Sequence, residues 1–381
     1  MKYSKTEWKD PASTALIASF RPEQGTAEHH VMISLNDPCA NPAEQYGNIR
    51  AALARLQGSE IPTHATPVFK RYFVSDAVNQ QQFFALQEET AAVSIVQQPP
   101  MNGTKVALWA YFVEDAKLSR DPSGTVVLQR PAHHHLYTTR LYNPLNDEYA
   151  ETEHIFKAYT TALDRHHCTL KDHCIRTWFF VQGVDIHYAK MVKARIAAFN
   201  TAGLTESSHY IASTGIEGRT PNPQALVQMD AYAVKGILPQ QIKYLHAPTH
   251  LNPTYEYGVT FERGTAVDYG DRRHIFISGT ASINNRGEIV HPGNLGKQID
   301  RTMENVKALL SEAGATSDNI AQMIVYLRDM ADYRPAADYF EKYHAAIPYV
   351  IVWAPVCRPG WLVEVECIAV KAIGGNAFES F

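Results

Sequence analysis

The pattern of hydrophobic and polar positions predicts the same succession of strands and helices three times along the chain. In the first repeat, Tyr46, Ile49 and Leu53 recur at helical spacing, and Asn41 followed by Pro42 is typical of a helix start. The elements predicted for this repeat are strand 31–34, helix 42–56, strand 68–74, helix 76–86 and strands 92–96 and 105–112.

The second and third repeats follow the same order. The second is predicted as helix 147–163, strand 174–181, helix 185–199 and strands 209–213 and 225–234. The third is predicted as a hairpin of strands 257–261 and 274–278, then helix 297–313, strand 323–327, helix 333–345 and strands 350–355 and 362–370. Strands that alternate with helices in this way predict α/β or α+β layers, in which a sheet is covered by helices on one side.

The repeats divide the chain into three units. We predict an N-terminal tail over 1–27, a first unit over 28–117, a second over 130–236 and a third over 250–372. The tail is expected to be irregular because its residues are mostly polar. Residues 118–129 and 237–253 are rich in turn-forming residues and are predicted to be linkers.

Composition narrows the class of protein. The chain of 381 residues is 45% hydrophobic and 19% charged, with a net charge of −4, so disorder and a dedicated nucleic-acid-binding role are both disfavoured. The first residues carry charge without an apolar core, and no long apolar run occurs, so neither a signal peptide nor a membrane segment is expected. Five scattered cysteines fit a reducing compartment, which predicts a cytoplasmic location.

Residues 274–371 resemble the RidA/YjgF family, whose members are also described as endoribonuclease L-PSP-like. The resemblance is carried by HIFISGTASINNRGEIVHPGNLGKQIDRTMENVKALLSEAGA, MIVYLRDMADYRPAADYFEKYH and LVEVECIAV, in that order. It implies chorismate-mutase-like βαβ units, each a mixed sheet backed by two helices, that form trimers with clefts between neighbours. Three such units in one chain, the first of them degenerate, imply a single-chain pseudotrimer that is monomeric or a weak homo-oligomer.

A narrower resemblance, over roughly residues 90–372, is to the chorismatases. It is carried by Arg176-Thr177-Trp178, Ser213-Thr214-Gly215-Ile216, Ser278-Gly279-Thr280-Ala281-Ser282, Cys357-Arg358-Pro359 and Leu362-Val363-Glu364-Val365-Glu366. The resemblance implies that Glu364 is the catalytic acid and, as in one subgroup, that Cys357 is a nucleophile. RidA imine deaminases hold the substrate carboxylate with an arginine, whereas this chain has Tyr349 at that position.

Glu364 and Glu366 are the residues best suited to acid catalysis. They lie on one face of the last predicted strand, and Val363, Val365 and Cys367 lie on the other. Cleavage of an enol ether requires a carboxyl group that is still protonated at neutral pH, and burial beside a second carboxylate raises a carboxyl pKa. The alternative is that both glutamates are solvent-facing strand residues paired with basic neighbours.

Several other residues are candidates for holding a small anionic substrate. Arginine suits bidentate carboxylate binding, a glycine in a strand permits close approach, and the 213–219 loop offers backbone N–H groups. Arg358 would also lower the thiol pKa of Cys357. The candidates are Arg358, Arg176, Tyr210, Thr214, Arg219, Gly279, Thr280, Ala281, Tyr349 and Glu366. The alternatives are surface salt bridges for the arginines, packing for Tyr210 and an ordinary turn for the loop.

Metal and cofactor sites are not predicted. His133-His134-His135 and the cluster of His166, His167, Cys168, His173 and Cys174 lack the paired spacing of a zinc site, and no nucleotide-binding motif or GxSxG motif occurs. The leading hypothesis is a cofactor-independent, chorismatase-like hydrolase of a small anionic metabolite, with one main site between the third unit and a neighbour. A RidA-type imine or enamine deaminase and a non-catalytic metabolite-binding protein remain open.

Overall fold

The computed structural model describes residues 1–10, 12–84, 86, 89–375 and 377–381, apart from the side chain of Tyr257. Within them the chain forms three six-stranded mixed sheets. No helix among the described residues is both long enough and apolar enough to span a membrane.

The first unit begins with a hairpin. Its strands and helices are β1 Lys2–Lys9, β2 Ala12–Phe20, β3 Glu28–Leu35, α1 Pro42–Leu56, β4 Ala65–Val74, α2 Ala77–Gln80, β5 Ala92–Gln97 and β6 Val106–Glu114. Asn41 caps α1 in a capping box with Glu44, and Asp76 caps α2. The helix predicted over 76–86 is thus shorter in the structure, where α2 ends at Gln80. Ala85 lies outside the described residues.

The second and third units repeat this plan. The second consists of β7 Lys117–Arg120, β8 Val126–Gln129, β9 His134–Leu141, α3 Glu148–Asp164, α4 Leu170–His173, β10 Cys174–Val181, α5 Val184–Thr201, β11 Ala212–Glu217 and β12 Val227–Lys235. The third consists of β13 Ile242–Leu245, β14 Gly264–Asp268, β15 Arg272–Ala281, α6 Leu295–Glu312, β16 Ile320–Leu327, α7 Tyr333–His344, β17 Tyr349–Trp353 and β18 Val363–Ala372.

The strand order is the same in all three sheets. It is β1-β2-β3-β6-β4-β5 in the first, β7-β8-β9-β12-β10-β11 in the second and β13-β14-β15-β18-β16-β17 in the third. In each sheet only the last two strands are parallel, and all other neighbours are antiparallel. The predicted α+β fold of three units, a pseudotrimer within one chain, is confirmed.

Three sequence predictions about the boundaries are wrong. The predicted tail over 1–27 holds β1 and β2, because alternate residues of β2 such as Ala15 and Ile17 are apolar and become buried on the sheet. The predicted linkers over 118–129 and 237–253 hold β7, β8 and β13. Residues 257–261 do not form a strand, and β15 pairs instead with β14.

The registers of the sheets identify equivalent residues in the three units. Val74, Val181 and Leu327 pair with Val106, Val227 and Val363, respectively. Counting one residue further along the last strand of each unit aligns Ala107, Gln228 and Glu364. Counting three residues further aligns Trp109, Asp230 and Glu366.

The three sheets meet around a central axis that carries polar groups. Glu28, His135 and His274 occupy equivalent positions in the three units, since they pair with Val113, Val234 and Val370. The Glu28 carboxylate accepts hydrogen bonds from His274 Nε2 and Arg272 Nη1, both at 2.9 Å, and from Tyr111 Oη at 2.6 Å. This buried cluster joins the third unit to the first.

Candidate functional site

A small cleft, with a cavity volume of about 40 Å³, lies between the second and third units. The second unit contributes residues of β11 and α5, and the third contributes the end of β15, the turn before β18 and Glu364. The lining residues are Tyr188, Arg195, Ser213, Thr214, Gly215, Val259, Phe261, Arg263, Gly279, Ala281, Ile283, Cys357, Arg358, Trp361 and Glu364.

A β-bulge in β15 forms one wall of this cleft. The register between β15 and β18 shifts between Ile277 and Thr280, at the point where Ser278 and Gly279 face the second unit. Ser278 Oγ accepts a hydrogen bond from the Ser213 N–H at 2.9 Å, and the Gly279 N–H donates to Thr214 Oγ1 at 2.9 Å. The bulge therefore fixes the distance between the two units at the cleft.

Glu364 lies at the floor of the cleft, against the bulge. Its side chain is buried, and a Cβ atom on Gly279 would lie 2.8 Å from Glu364 Cδ and 3.1 Å from Thr214 Cγ2. The predicted close approach at Gly279 is therefore an approach of the protein's own carboxyl group. The alternative of a solvent-facing Glu364 is wrong.

Burial, together with the nearby charge of Glu366, raises the pKa of Glu364 to about 8, against the opposing effects of Arg176 and Arg263. At neutral pH the carboxyl group is therefore protonated. This is the state that a general acid requires.

Glu366 is held by three donors from the second unit. Arg176 Nη2 donates at 2.8 Å, Trp178 Nε1 at 2.9 Å and Thr214 Oγ1 at 2.5 Å. Because donors surround the carboxylate, its negative charge is stabilised although the side chain is buried. Arg176 is thus buried and committed to Glu366, whereas Thr214 contacts Glu366 and also lines the cleft. A substrate-binding role for either residue stays a prediction.

Three arginines line the cleft. Arg195 is buried on α5, and no acceptor among the described residues lies within hydrogen-bonding reach of its Nε and Nη2. Arg263 donates to the Asn252 carbonyl, at 3.2 Å from Nε and 2.9 Å from Nη2. The Arg358 guanidinium lies 5.1 Å from the Trp361 ring centroid. The cleft therefore carries positive charge opposite a protonated acid, which favours an anionic ligand.

Cys357 lines the cleft, but its thiol is not activated. Burial and the neighbouring Glu364 raise the pKa of Cys357 to about 12, which outweighs the lowering effects of Tyr188 and Arg358. Arg358 lowers this pKa as expected, but its effect is smaller than that of desolvation, so the thiol is not activated. Cys357 is a neutral thiol in this cleft.

Besides Arg176 and Glu366, four predicted binding residues lie outside the cleft lining. Tyr210 lines a neighbouring pocket beside Glu262, and the exposed Arg219 follows β11, where its backbone bridges to Gln97 of the first unit. Thr280 is buried, and its hydroxyl donates to the Ser278 carbonyl. Tyr349 lines a different cleft, between the first and third units.

The position of Tyr349 explains why the alignment with RidA enzymes misled. Tyr349 pairs with Met323, and its equivalent in the second unit is Ser213, which pairs with Thr177. Since each cleft combines two units, the residue that meets Glu364 is Ser213 and not Tyr349.

Sequence reasoning missed Arg195, Arg263 and Tyr188. Arg195 could have been found, because it falls on the apolar stripe of α5 with Met191, Val192 and Phe199. An arginine on a buried helix face needs a partner, which indicates a site. No comparable signal marks Arg263, which lies in an irregular segment.

The histidine clusters have protein partners. His166 Nε2 lies 2.8 Å from Asp121 Oδ2, and His135 Nδ1 lies 2.8 Å from Tyr232 Oη. In the described part of the chain, no group of three or more potential metal ligands is arranged to hold an ion.

Comparison with known proteins gives two kinds of similarity. The endoribonuclease L-PSP family model matches residues 265–371. A RutC family protein of Pyrococcus abyssi is 35% identical over 100 residues, which cover 26% of this chain and 78% of the relative. The 3-aminoacrylate deaminase RutC of Acinetobacter baylyi is 29% identical over 100 residues, covering 25% of this chain and 77% of the relative.

A structural relative covers most of the chain. The crystal structure of a chorismatase superposes with a TM-score of 0.63 and 17% sequence identity, over 82% of this chain and 94% of the chorismatase chain. This likeness extends the shared fold beyond the third unit, which is the part matched by the sequence relatives.

Proposed function

Because the chain belongs to the RutC family of RidA/YjgF proteins and shares the fold of a chorismatase, we propose that it hydrolyses the enol ether of chorismate or a close analogue. The observation that carries the proposal is Glu364, a buried carboxyl group with a pKa of about 8, facing a cleft lined by three arginines. The activity needs no cofactor.

The arginines select the substrate class. Arg195 offers unsatisfied donors from the second unit, and Arg358 lies on the opposite, third-unit side of the cleft. Two guanidinium groups on opposite walls suit a small molecule with two carboxylates. Phe261 and Trp361 supply apolar surface for a six-membered ring between them.

The chemistry begins with proton transfer to carbon. Glu364 donates its proton to the terminal methylene carbon of the enol ether, and the ether oxygen stabilises the resulting oxocarbenium ion. Water adds to this carbon and returns one proton to the Glu364 carboxylate, which gives a hemiketal. The hemiketal then collapses to pyruvate and the ring alcohol, so that the acid is regenerated.

Pyruvate release tests the activity. The protein is incubated with chorismate, and pyruvate is followed with a coupled dehydrogenase, beside the isosteric variant Glu364→Gln. We expect the variant to lose about 100-fold or more in rate, as is usual for loss of a general acid. Pyruvate release at the same rate by both proteins, or by neither, would contradict the proposal.

Substitution of Arg195 tests substrate recognition. Arg195→Met removes the unsatisfied donors and keeps an apolar side chain over Phe179, whose ring centroid lies 5.7 Å from the guanidinium. We expect KM to rise about tenfold to 100-fold, the loss typical of one charged hydrogen bond. An unchanged KM would remove Arg195 from the binding site.

A second candidate function is hydrolysis of an imine or enamine. The similarity to a protein named 3-aminoacrylate deaminase favours it. Ser213 argues against this function. RidA imine deaminases hold the substrate carboxylate with an arginine at the position of Tyr349, and the equivalent residue in this cleft is Ser213. Hydrolysis of an imine generated from an amino acid separates the two, and inactivity with both substrates would leave a metabolite-binding protein.

We also propose that the chain acts in the cytoplasm, as a monomeric pseudotrimer or a weak homo-oligomer. The five free cysteines support a reducing compartment. The buried contacts among the three units within one chain make further assembly unnecessary for a complete cleft.

A further inference from the structure

Arg71 of β4 belongs to the first unit, which contributes no residue to the Glu364 cleft. Its side chain is fully buried at the junction of the three units. The guanidinium donates from Nη2 to Asp230 Oδ2 at 2.9 Å and from Nε to Ser94 Oγ at 3.2 Å. Arg71 Nη1 has no hydrogen-bond partner in the described part of the chain, and lies 3.9 Å from Glu366 Oε1.

Aromatic rings hold this guanidinium in place. The Arg71 guanidinium lies 4.7 Å from the ring centroid of Trp178 and 5.1 Å from that of Phe180, both of the second unit. Trp178 also donates its Nε1 hydrogen to Glu366. Arg71 and Glu366 are therefore oriented by the same side chain, and the position of Arg71 relative to Glu366 is fixed.

The groups facing Glu366 come from every strand packed around it. They are Arg71 on β4, Arg176 and Trp178 on β10, Thr214 on β11, Tyr326 on β16, and Glu364 and Cys367 on its own strand. With Asp230 included, the core of this network holds two arginines and two carboxylates. An ionised Glu364 would add a third negative charge beside this network.

We propose that Arg71 is a positioning residue for the catalytic acid, because it fixes the negative charge of the carboxyl pair on Glu366 and so keeps the shared proton on Glu364. The inference rests on the proposed function for its catalytic consequence. It gives the first unit a role in a cleft that it does not line.

Loss of Arg71 should have two effects that occur together. Without its charge, the proton of the pair moves in part to Glu366, so the fraction of molecules with a protonated Glu364 falls at every pH. The doubly ionised pair also becomes less favourable, so the last proton leaves at higher pH. Loss of Arg71 should therefore lower the plateau of kcat and move the alkaline limb of the pH–rate profile to higher pH.

The test uses the charge-balanced double variant Arg71→Gln, Asp230→Asn. We expect its plateau kcat with chorismate to fall at least tenfold, its alkaline limb to rise by about 1 pH unit, and KM to stay within about twofold. Arg71→Lys, which keeps the charge, should retain most of the wild-type kcat and limb. If the double variant does not fold, Arg71→Gln alone and Arg71→Lys provide the comparison.

Arg272→Gln is the matched control. Arg272 is a second fully buried arginine that joins two units, through Glu28, but it lies away from the cleft. We expect it to lower the melting temperature without moving the alkaline limb. A double variant that loses activity with the limb unmoved, as expected for a purely structural role, would overturn the inference.

Infrared spectroscopy separates this inference from the proposed function. The part of the C=O band of protonated carboxyl groups at pH 7 that Glu364→Gln removes should shrink without vanishing in Glu366→Gln, because loss of the Glu366 charge lowers the pKa of Glu364. In the double variant, part of that band should instead depend on Glu366. A band assigned wholly to Glu364 in both backgrounds refutes the role of Arg71, whether or not chorismate is cleaved.

Discussion

Gly279 is the residue whose missing side chain most directly permits the arrangement of the acid. A Cβ atom there would lie 2.8 Å from Glu364 Cδ, closer than real Cβ contacts come. The glycine lies in a bulge of β15, where its N–H also donates to Thr214. The carboxyl group and the bulge therefore depend on each other.

We predict that Gly279→Ala lowers kcat about tenfold to 100-fold, because the Glu364 carboxyl group must move away from the cleft floor and small displacements of a catalytic group are costly. Steady-state kinetics with chorismate check this. Gly47→Ala, in open space on α1, is the control, and it should leave kcat unchanged and stabilise the fold slightly. Equal kinetics for both variants would show that Glu364 tolerates the extra methyl group.

Glu366→Gln should move the pH dependence of the reaction. The charge of Glu366 raises the pKa of Glu364, so its removal lowers that pKa and the acid loses its proton at lower pH. We expect the alkaline limb of kcat to shift down by about 1 pH unit or more. The pH–rate profile measures it, and an unshifted limb would mean that the two carboxyl groups do not interact.

Glu364→Gln should be more stable than the wild type at alkaline pH. The folded-state pKa of about 8 exceeds the usual value of 4.5, so the wild type loses stability as pH rises from about 4.5 to about 8. Glutamine has no proton to lose, and the gap should widen across that window by roughly 1.4 kcal/mol per pKa unit of difference. Denaturant unfolding at pH 4.5, 6.5 and 8.5 measures the gap, and a constant gap would contradict the raised pKa.

The sequence predicted some residues of this site and missed others. The alternation of the last strand placed Glu364 and Glu366 on one face, and the short motifs placed Gly279, Thr214 and Cys357 near them. The wall contributed by α5 of the second unit was not predicted, because pairing between units is set by the packing of three sheets. For the same reason, the sequence did not predict that Ser213, and not Tyr349, lies in the cleft with Glu364.

At the scale of elements, the N-terminal hairpin belongs to the first sheet. Strand β2 pairs with β3 along its whole length, and Ile17 is buried against the helix side. Tyr3 on β1 donates its hydroxyl hydrogen to the Ile320 carbonyl at 2.7 Å, so the hairpin also contacts the third unit. It completes the first sheet to the six strands of the others.

Deletion of residues 1–20 should therefore destabilise the whole chain. It exposes the edge of β3 and the apolar face beneath β2, and an uncovered edge promotes aggregation. We expect a melting temperature lower by about 5 °C or more and faster aggregation, in scanning calorimetry and light scattering. Tyr3→Phe, which removes only the contact to the third unit, should cost much less. A deletion variant as stable as the wild type would restore the view of this segment as a tail.

Helices and central strands were predicted better than boundaries. Helix 42–56 matches α1, and strand 174–181 matches β10, because both have strong apolar periodicity and clear end signals. The edge strands β1, β7 and β13 were missed, because each has one or both faces exposed and carries polar residues. Such strands form only because a neighbouring strand is already in place.

At the scale of the whole molecule, the three clefts have diverged. The position of Glu364 is Gln228 in the second unit and Ala107 in the first. Gln228 donates its side-chain amide to the Ile95 carbonyl of the first unit, so it joins two units instead of facing a ligand. Of these three described positions, only that of the third unit carries a carboxyl group, and its cleft is lined by Arg195, Arg263 and Arg358.

We predict that one equivalent of a dicarboxylate inhibitor saturates the chain. Calorimetric titration should give a stoichiometry near one, because the position of Glu364 is Gln228 in the second unit and Ala107 in the first. Gln228→Ala should leave the stoichiometry and kcat unchanged. Binding of three equivalents with similar affinity would contradict this asymmetry.

The cluster of Glu28, His135 and His274 on the central axis shows what joining the units made possible. In an assembly of three identical subunits, any substitution beside the axis appears three times, so an acidic residue there must face two copies of itself. In this chain each position mutates alone, and an acid can face two histidines. Duplication therefore released the axis from the constraint of self-compatibility. The same release allows Trp109, Asp230 and Glu366 to differ at one equivalent position, which three identical subunits cannot do.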